Sequence, residues 1–217
     1  MMDELSLLQK LAVWALPVIF AITVHEFAHG WVAHRLGDNT AKSQGRLTLN
    51  PFKHIDPLGT IIVPGALLAL GGFLFGWAKP VPVNWRNLDR PKTDMMLVAV
   101  AGPLSNLLMA LIWLAVLKLG TTLHDEFFSL PLVYSGYAGI LINLVLMVLN
   151  LLPIPPLDGS RILAGMLPMR AAYYYTRLER FGFPILILLV ALGWLGELIG
   201  PPIFFLQRML YSLVGII

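Results

Sequence analysis

Residues 11–30 read LAVWALPVIFAITVHEFAHG, in which the uncharged run Leu11 to Val24 passes without a break into His25-Glu26-Phe27-Ala28-His29. On an α-helix, residues four apart share one face about 6 Å apart along the axis, so His25 and His29 can grip one metal ion together. Glu26 is turned about 100° around the axis and can reach a water at that metal without ligating it. The layout is that of a zinc hydrolase. The blander reading is a solvated helix face that happens to carry two histidines and a glutamate. The apolar surroundings oppose it, because ionisable groups within a membrane-like stretch are expensive and mark functional sites.

The rest of the chain supports a membrane setting. Of 217 residues 58% are hydrophobic and only 12% charged, and the mean hydropathy is +0.77, too apolar for a soluble domain. The chain reads as one membrane domain over residues 1–217. The net charge of +3 is spread through short loops and is no sign of nucleic-acid binding. Without cysteine, a metal must be held by histidine and carboxylate. The acidic start Met1-Met2-Asp3-Glu4 is unlike a signal peptide, so the first helix is expected to be retained.

We expect an α-helical polytopic membrane protein with about four transmembrane helices plus a re-entrant or β-hairpin segment near residues 57–84. The first helix runs from Leu5 to Leu36, stopped by Gly37-Asp38-Asn39. Pro57 to Ala78 is long enough to span, but its prolines, glycines and the β-branched run Thr60 to Val63 favour a re-entrant hairpin. Val81-Pro82-Val83-Asn84 is a candidate edge strand. Met95 to Leu117 and Leu132 to Leu152 are the next spanning helices, and an apolar stretch from Phe183 to Ile217 is expected to break at Gly200-Pro201-Pro202. Twelve of the fifteen Lys and Arg residues fall in loops 35–56, 79–94 and 153–182, which places those loops in the cytoplasm and the N-terminus outside.

A catalytic zinc needs a third protein ligand and an open position. Asp158 is the candidate, at the cytoplasmic end of a spanning helix in a proline-broken, glycine-flanked segment. On the rise per residue His29 lies about 9 Å and His25 about 15 Å below Arg35, a depth Asp158 could share. Taken alone, Asp158-Gly159 is equally a turn pair just outside the membrane.

HEFAHG on a first membrane helix, followed by Asn150-Leu-Leu-Pro-Ile-Pro-Pro-Leu-Asp158-Gly159, resembles the site-two proteases, which are intramembrane zinc metalloproteases. Asn50-Pro51, His54 to Gly59, Gly76 to Asn84 and Ala101 to Asn106 resemble the short prokaryotic branch, so the likeness spans roughly residues 20 to 165. It implies one Zn2+ held by His25, His29 and Asp158, Glu26 as general base, and Asn150 positioning the scissile peptide or its oxyanion. It also implies transmembrane protein substrates and a prokaryotic cell (inner) membrane location, and the loop charges put the site towards the cytoplasm. The chain has no room for a PDZ domain between its first two spanning helices.

Other residues stay open at this stage. Asn106 either contacts substrate or bonds a neighbouring helix. Thr60 to Val63 or Val81 to Asn84 either offers an edge to an unwound substrate or pairs within the protein. His54 and Asp56 either support the site or pin a turn. The rival reading is a metal transporter or a catalytically silent homologue, and Glu26 argues against it, since transport has no use for a general base beside the ligands.

Overall fold

The computed structural model describes residues 5–57, 59 and 78–216. The re-entrant reading of Pro57 to Ala78, with Thr60 to Val63, lies almost wholly outside the described residues. Among the described residues there is no β-strand, and the architecture is a polytopic bundle of helices.

The first helix, α1 (Leu7–Arg35), opens on a capping box: the Gln9 amide donates to Ser6 Oγ and the Ser6 amide to Gln9 Oε1. It ends where Gly37 takes φ +103, a left-handed conformation that closes the helix and that a side chain would strain. A short helical turn, α2 (Thr40–Ser43), follows. The second long helix, α3 (Pro91–Thr122), begins with proline at its first position. The third, α4 (Glu126–Leu151), is capped by Asp125, whose carboxylate accepts the Phe127 amide. At 1.5 Å per residue these three helices are about 39 to 48 Å long, more than a hydrocarbon core of about 30 Å requires. That surplus is why α3 and α4 outrun the charge-free stretches expected from sequence. The helices run on past the charge-free stretches through Lys92, Asp94 and Lys118 at the ends of α3 and through residues 126–131 at the start of α4.

Helices α3 and α4 form an antiparallel centre. Ala110, Trp113, Leu114 and Leu117 pack against Ile140, Leu144, Met147 and Val148. The approach is close because α4 offers glycine: a Cβ on Gly139 would stand 2.2 Å from the Trp113 ring, and one on Gly136 would stand 2.7 Å from Leu117 Cβ. α1 packs across both helices, while Leu16, Ile19, Leu108 and Ile112 stay exposed, as apolar side chains do when lipid is the solvent.

After α4 the chain doubles back. Gly159 lies where a Cβ would meet the Leu151 carbonyl oxygen at 2.2 Å, so α5 (Asp158–Met166) starts directly against the end of α4. Next come α6 (Met169–Thr176), α7 (Glu179–Ala191) and α8 (Trp194–Leu213). The last two are bent by 82° and together could make a fourth span. Their break corrects the expected one: it falls at Gly193, with φ +75, while Pro201 and Pro202 lie inside α8. A proline removes a helical hydrogen bond but keeps helical φ, whereas a left-handed residue reverses the path.

Candidate metal centre

The four-residue spacing on α1 does what the sequence promised: His25 and His29 are both buried, with their Nε2 atoms 3.0 Å apart. Asp158, carried by the first turn of α5, brings Oδ2 to 3.3 Å from His25 Nε2 and 3.2 Å from His29 Nε2. The opposite wall is α3 at Gly102, where a Cβ would stand 2.4 Å from His29 Nε2 and 2.5 Å from His25 Cε1. Only glycine leaves room for both rings.

Hydrogen bonds on the far side of each ring fix which nitrogen faces the centre. His29 Nδ1 lies 2.7 Å from the Val98 carbonyl, which can only accept, so Nδ1 carries the proton and Nε2 presents a lone pair. His25 Nδ1 lies 2.7 Å from Asn106 Oδ1. The Asn106 amide is oriented by its other bonds, since Nδ2 donates to the Ala21 carbonyl at 3.2 Å and to Asn143 Oδ1 at 3.0 Å. Asn143 in turn donates to the Gly139 carbonyl of its own helix. A chain of amides therefore runs from α4 through α3 to the His25 ring.

The result is three acceptors, two imidazole lone pairs and a carboxylate oxygen, aimed at one another across 3.0 to 3.3 Å. Asp158 Oδ2 is buried with no hydrogen-bond donor. Such a convergence repels itself unless a cation or a shared proton sits within it. Bonds of about 2.0 Å to a tetrahedral metal place its ligands about 3.3 Å apart, which matches these separations. No other group of three His, Cys, Asp or Glu suited to a metal occurs among the described residues.

Glu26 stands beside the trio, half-buried, its Oε2 accepting the Val81 amide at 2.7 Å. Asn150 is on the last turn of α4, its Nδ2 donating to the Leu146 carbonyl of the same helix. Asn106 is fully buried with its amide occupied by three helix partners, the helix-bonding alternative. His54 is buried and donates to the Thr48 carbonyl, while Asp56 accepts the Gly59 amide. Both pin the loop. Among the described residues Val81 to Asn84 pairs with no strand, and the Val81 amide goes to Glu26. Sequence reasoning placed Gly102 only within the family-like stretch Ala101 to Asn106, with no role at the site, and passed over Val98 and Asn143. A polar Asn143 within an uncharged span was the one available signal.

A polytopic helical membrane protein with a buried His, His, carboxylate centre and an adjoining glutamate is the class that fold and site define. Comparison with known proteins gives the family. Residues 129–193, which include Asp158, match Peptidase family M50. A Bacillus subtilis protein named "Putative zinc metalloprotease YwhC" is 43% identical over 183 residues, covering 79% of this chain and 77% of that one. "Putative zinc metalloprotease Rip2" of Mycolicibacterium smegmatis is 34% identical over 192 residues, covering 83% and 69%. "Regulator of sigma-E protease RseP" of Salmonella typhimurium is 35% identical over 113 residues, covering 49% and 25%. No solved structure matches. The chain belongs to Peptidase family M50, in line with its resemblance to the site-two proteases. It is an integral membrane zinc metalloprotease, and the transport reading is not favoured.

Proposed function

We propose that His25, His29 and Asp158 hold the zinc and that Glu26 is the general base of an endopeptidase that cuts within or near transmembrane segments. The observation that carries this reading is the convergence of three unprotonated acceptors against Gly102. Zinc, when bound, supplies Lewis acidity towards a peptide carbonyl and activates water near neutral pH. Glu26 takes the proton from the attacking water and returns one to the leaving amine nitrogen. A helical substrate hides its peptide bonds, so it unwinds before attack. Asn106 orients His25, and Asn150, near the end of α4, is assigned to the substrate peptide.

We place the site towards the cytoplasmic side of a prokaryotic cell membrane, within one domain spanning 1–217. His29 is about four turns nearer the basic loops than the apolar start of α1, and Asp158 follows the cytoplasmic end of α4. The flanks of the stretch 57–78 meet, with the Lys79 amide bonded to the His54 carbonyl at 2.9 Å and the Asp89 amide to Leu36 at 3.1 Å.

The test is the metal content of the purified protein and its cleavage of a model transmembrane helix. Glu26→Gln should keep the zinc and lose cleavage, because an amide preserves shape without accepting a proton. Asp158→Ala should lose both. A Glu26→Gln protein that still cleaves would overturn the role of the base.

A further inference from the structure

Between Lys79 and Val83 the sequence is Pro80-Val81-Pro82, and proline has no N–H, so Val81 carries the single backbone donor between the two. That donor is spent on Glu26 Oε2 at 2.7 Å. The Val81 side chain is buried against α1 one turn further on, with Cγ1 2.9 Å from where a Cβ on Gly30 would stand. Glu26 and Gly30 are four residues apart, so the extended segment lies on one face of α1, and Gly30 is the residue that lets it seat.

The segment is also held from its other side. Arg46 is 8% exposed, and its Nη2 donates to the Lys79 carbonyl at 2.9 Å and the Pro80 carbonyl at 3.3 Å. One guanidinium nitrogen with two hydrogens thereby fixes two successive carbonyls immediately before the Val81 amide. The Lys79 amide is tied to the His54 carbonyl, and His54 Nε2 to the Thr48 carbonyl, so the clamp is braced within the same loop.

We propose that Arg46 is a positioning residue for the base: it clamps the 79–81 backbone so that the Val81 amide holds Glu26 Oε2 and leaves Oε1 as the atom that accepts the proton. This rests on Glu26 being the base. A glutamate on three rotatable bonds gains from being held in one orientation, and a hydrogen bond to a charged acceptor is worth about ten- to a hundredfold in an equilibrium. The clamp acts through Glu26 and leaves the zinc ligands untouched.

The test uses the zinc-loaded full chain in detergent. Hydrogen exchange of the Val81 amide is resolvable because its proline neighbours contribute none, and the α4 amides serve as fold reference. We expect exchange about tenfold faster or more in Glu26→Ala and Arg46→Ala, with Arg46→Lys between them and wild type. In cleavage assays Arg46→Ala should lower kcat about ten- to a hundredfold while KM and zinc content hold, a split that general loosening of the fold would not give. Val81→Pro and Val81→Ala both lose the contact at Gly30, but only the first loses the amide, so Val81→Pro should fall at least about tenfold below Val81→Ala. The proposal is overturned if Val81→Pro cleaves as fast as Val81→Ala, or if Val81 exchange is unchanged in Glu26→Ala. Should Val81→Pro fail to accumulate, the exchange comparison decides. A Glu26→Ala protein that still cleaves removes the base assignment itself; an inactive one with unmoved Val81 exchange removes only the clamp.

Discussion

Gly102→Ala is the smallest change that should disable the metal centre. The added methyl would stand 2.4 Å from His29 Nε2, 2.5 Å from His29 Cε1 and 2.5 Å from His25 Cε1. Ordinary contact begins near 3.4 Å, so at least one ring must retreat by about 1 Å, and metal–ligand distances tolerate only about 0.2 Å. Neither ring can retreat freely, because Val98 and Asn106 hold their Nδ1 atoms at 2.7 Å. The helix itself gains about 1 kcal/mol from replacing glycine with alanine, against about 1 to 3 kcal/mol of overpacking, so the protein should still fold. Zinc affinity is where the loss concentrates. Disturbing a group behind one ligand costs about 10- to 100-fold, and here two ligands are struck directly, so we expect about 100-fold or more. The assay is competition for zinc between the purified protein and a chromophoric chelator, with helicity and melting followed in the same sample. Wild-type zinc affinity in a folded Gly102→Ala protein would refute the reasoning, since it would place the metal elsewhere than between α1, α3 and α5.

Asn106→Ala should weaken zinc binding about 10- to 100-fold by freeing the His25 ring, measured by the same competition. Asp38 is buried, which pushes its pKa up, but hydrogen bonds from the Thr40 hydroxyl, Asn87 and the Asn84 and Thr40 amides outweigh burial and hold the carboxyl below its ordinary value. A folded-state value below the unfolded one gives stability that is fully present above about pH 4 and drains away as the pH falls towards the lowered value. Melting curves between pH 6 and 3 should show that acid loss in wild type and less of it in Asp38→Asn. Single cysteines at Asn39, Arg86 and His124, all exposed in a chain without cysteine, should separate under a membrane-impermeant thiol reagent. Labelling of position 124 alone on intact cells agrees with the topology, and labelling of position 86 without 39 contradicts it.

How much of this was legible in the chain depended on the range of the interaction involved. Helical periodicity and hydropathy are local, so His25, Glu26 and His29 could be placed on one turn of a membrane helix, and three spans could be found, with ends up to six residues from the observed ones. The break at Gly193 was missed because proline is the louder local signal, although a left-handed glycine redirects a helix more sharply. Asp158 was ambiguous by itself, a turn residue as readily as a ligand, and what settles its place is Gly159 folding α5 back against the end of α4.

Other features carried a local signal whose meaning only packing supplied. Gly102 is one small residue among many in an apolar helix, and it acquires meaning only when α3 lies against two imidazoles. Asn106 and Asn143 are polar atoms that hydrocarbon forbids to stay unpaired, but which partners they take depends on how α1, α3 and α4 pack. The Pro80-Val81-Pro82 segment announces a lone amide in the sequence, and only tertiary structure delivers that amide to Glu26. Neighbours along the chain specify the three long helices and put His25, Glu26 and His29 on one of them, because periodicity and hydropathy are local. Where Asp158 lies, which way each imidazole faces and what holds the Glu26 carboxylate depend on contacts between residues 55 to 133 positions apart, whose geometry no local pattern encodes.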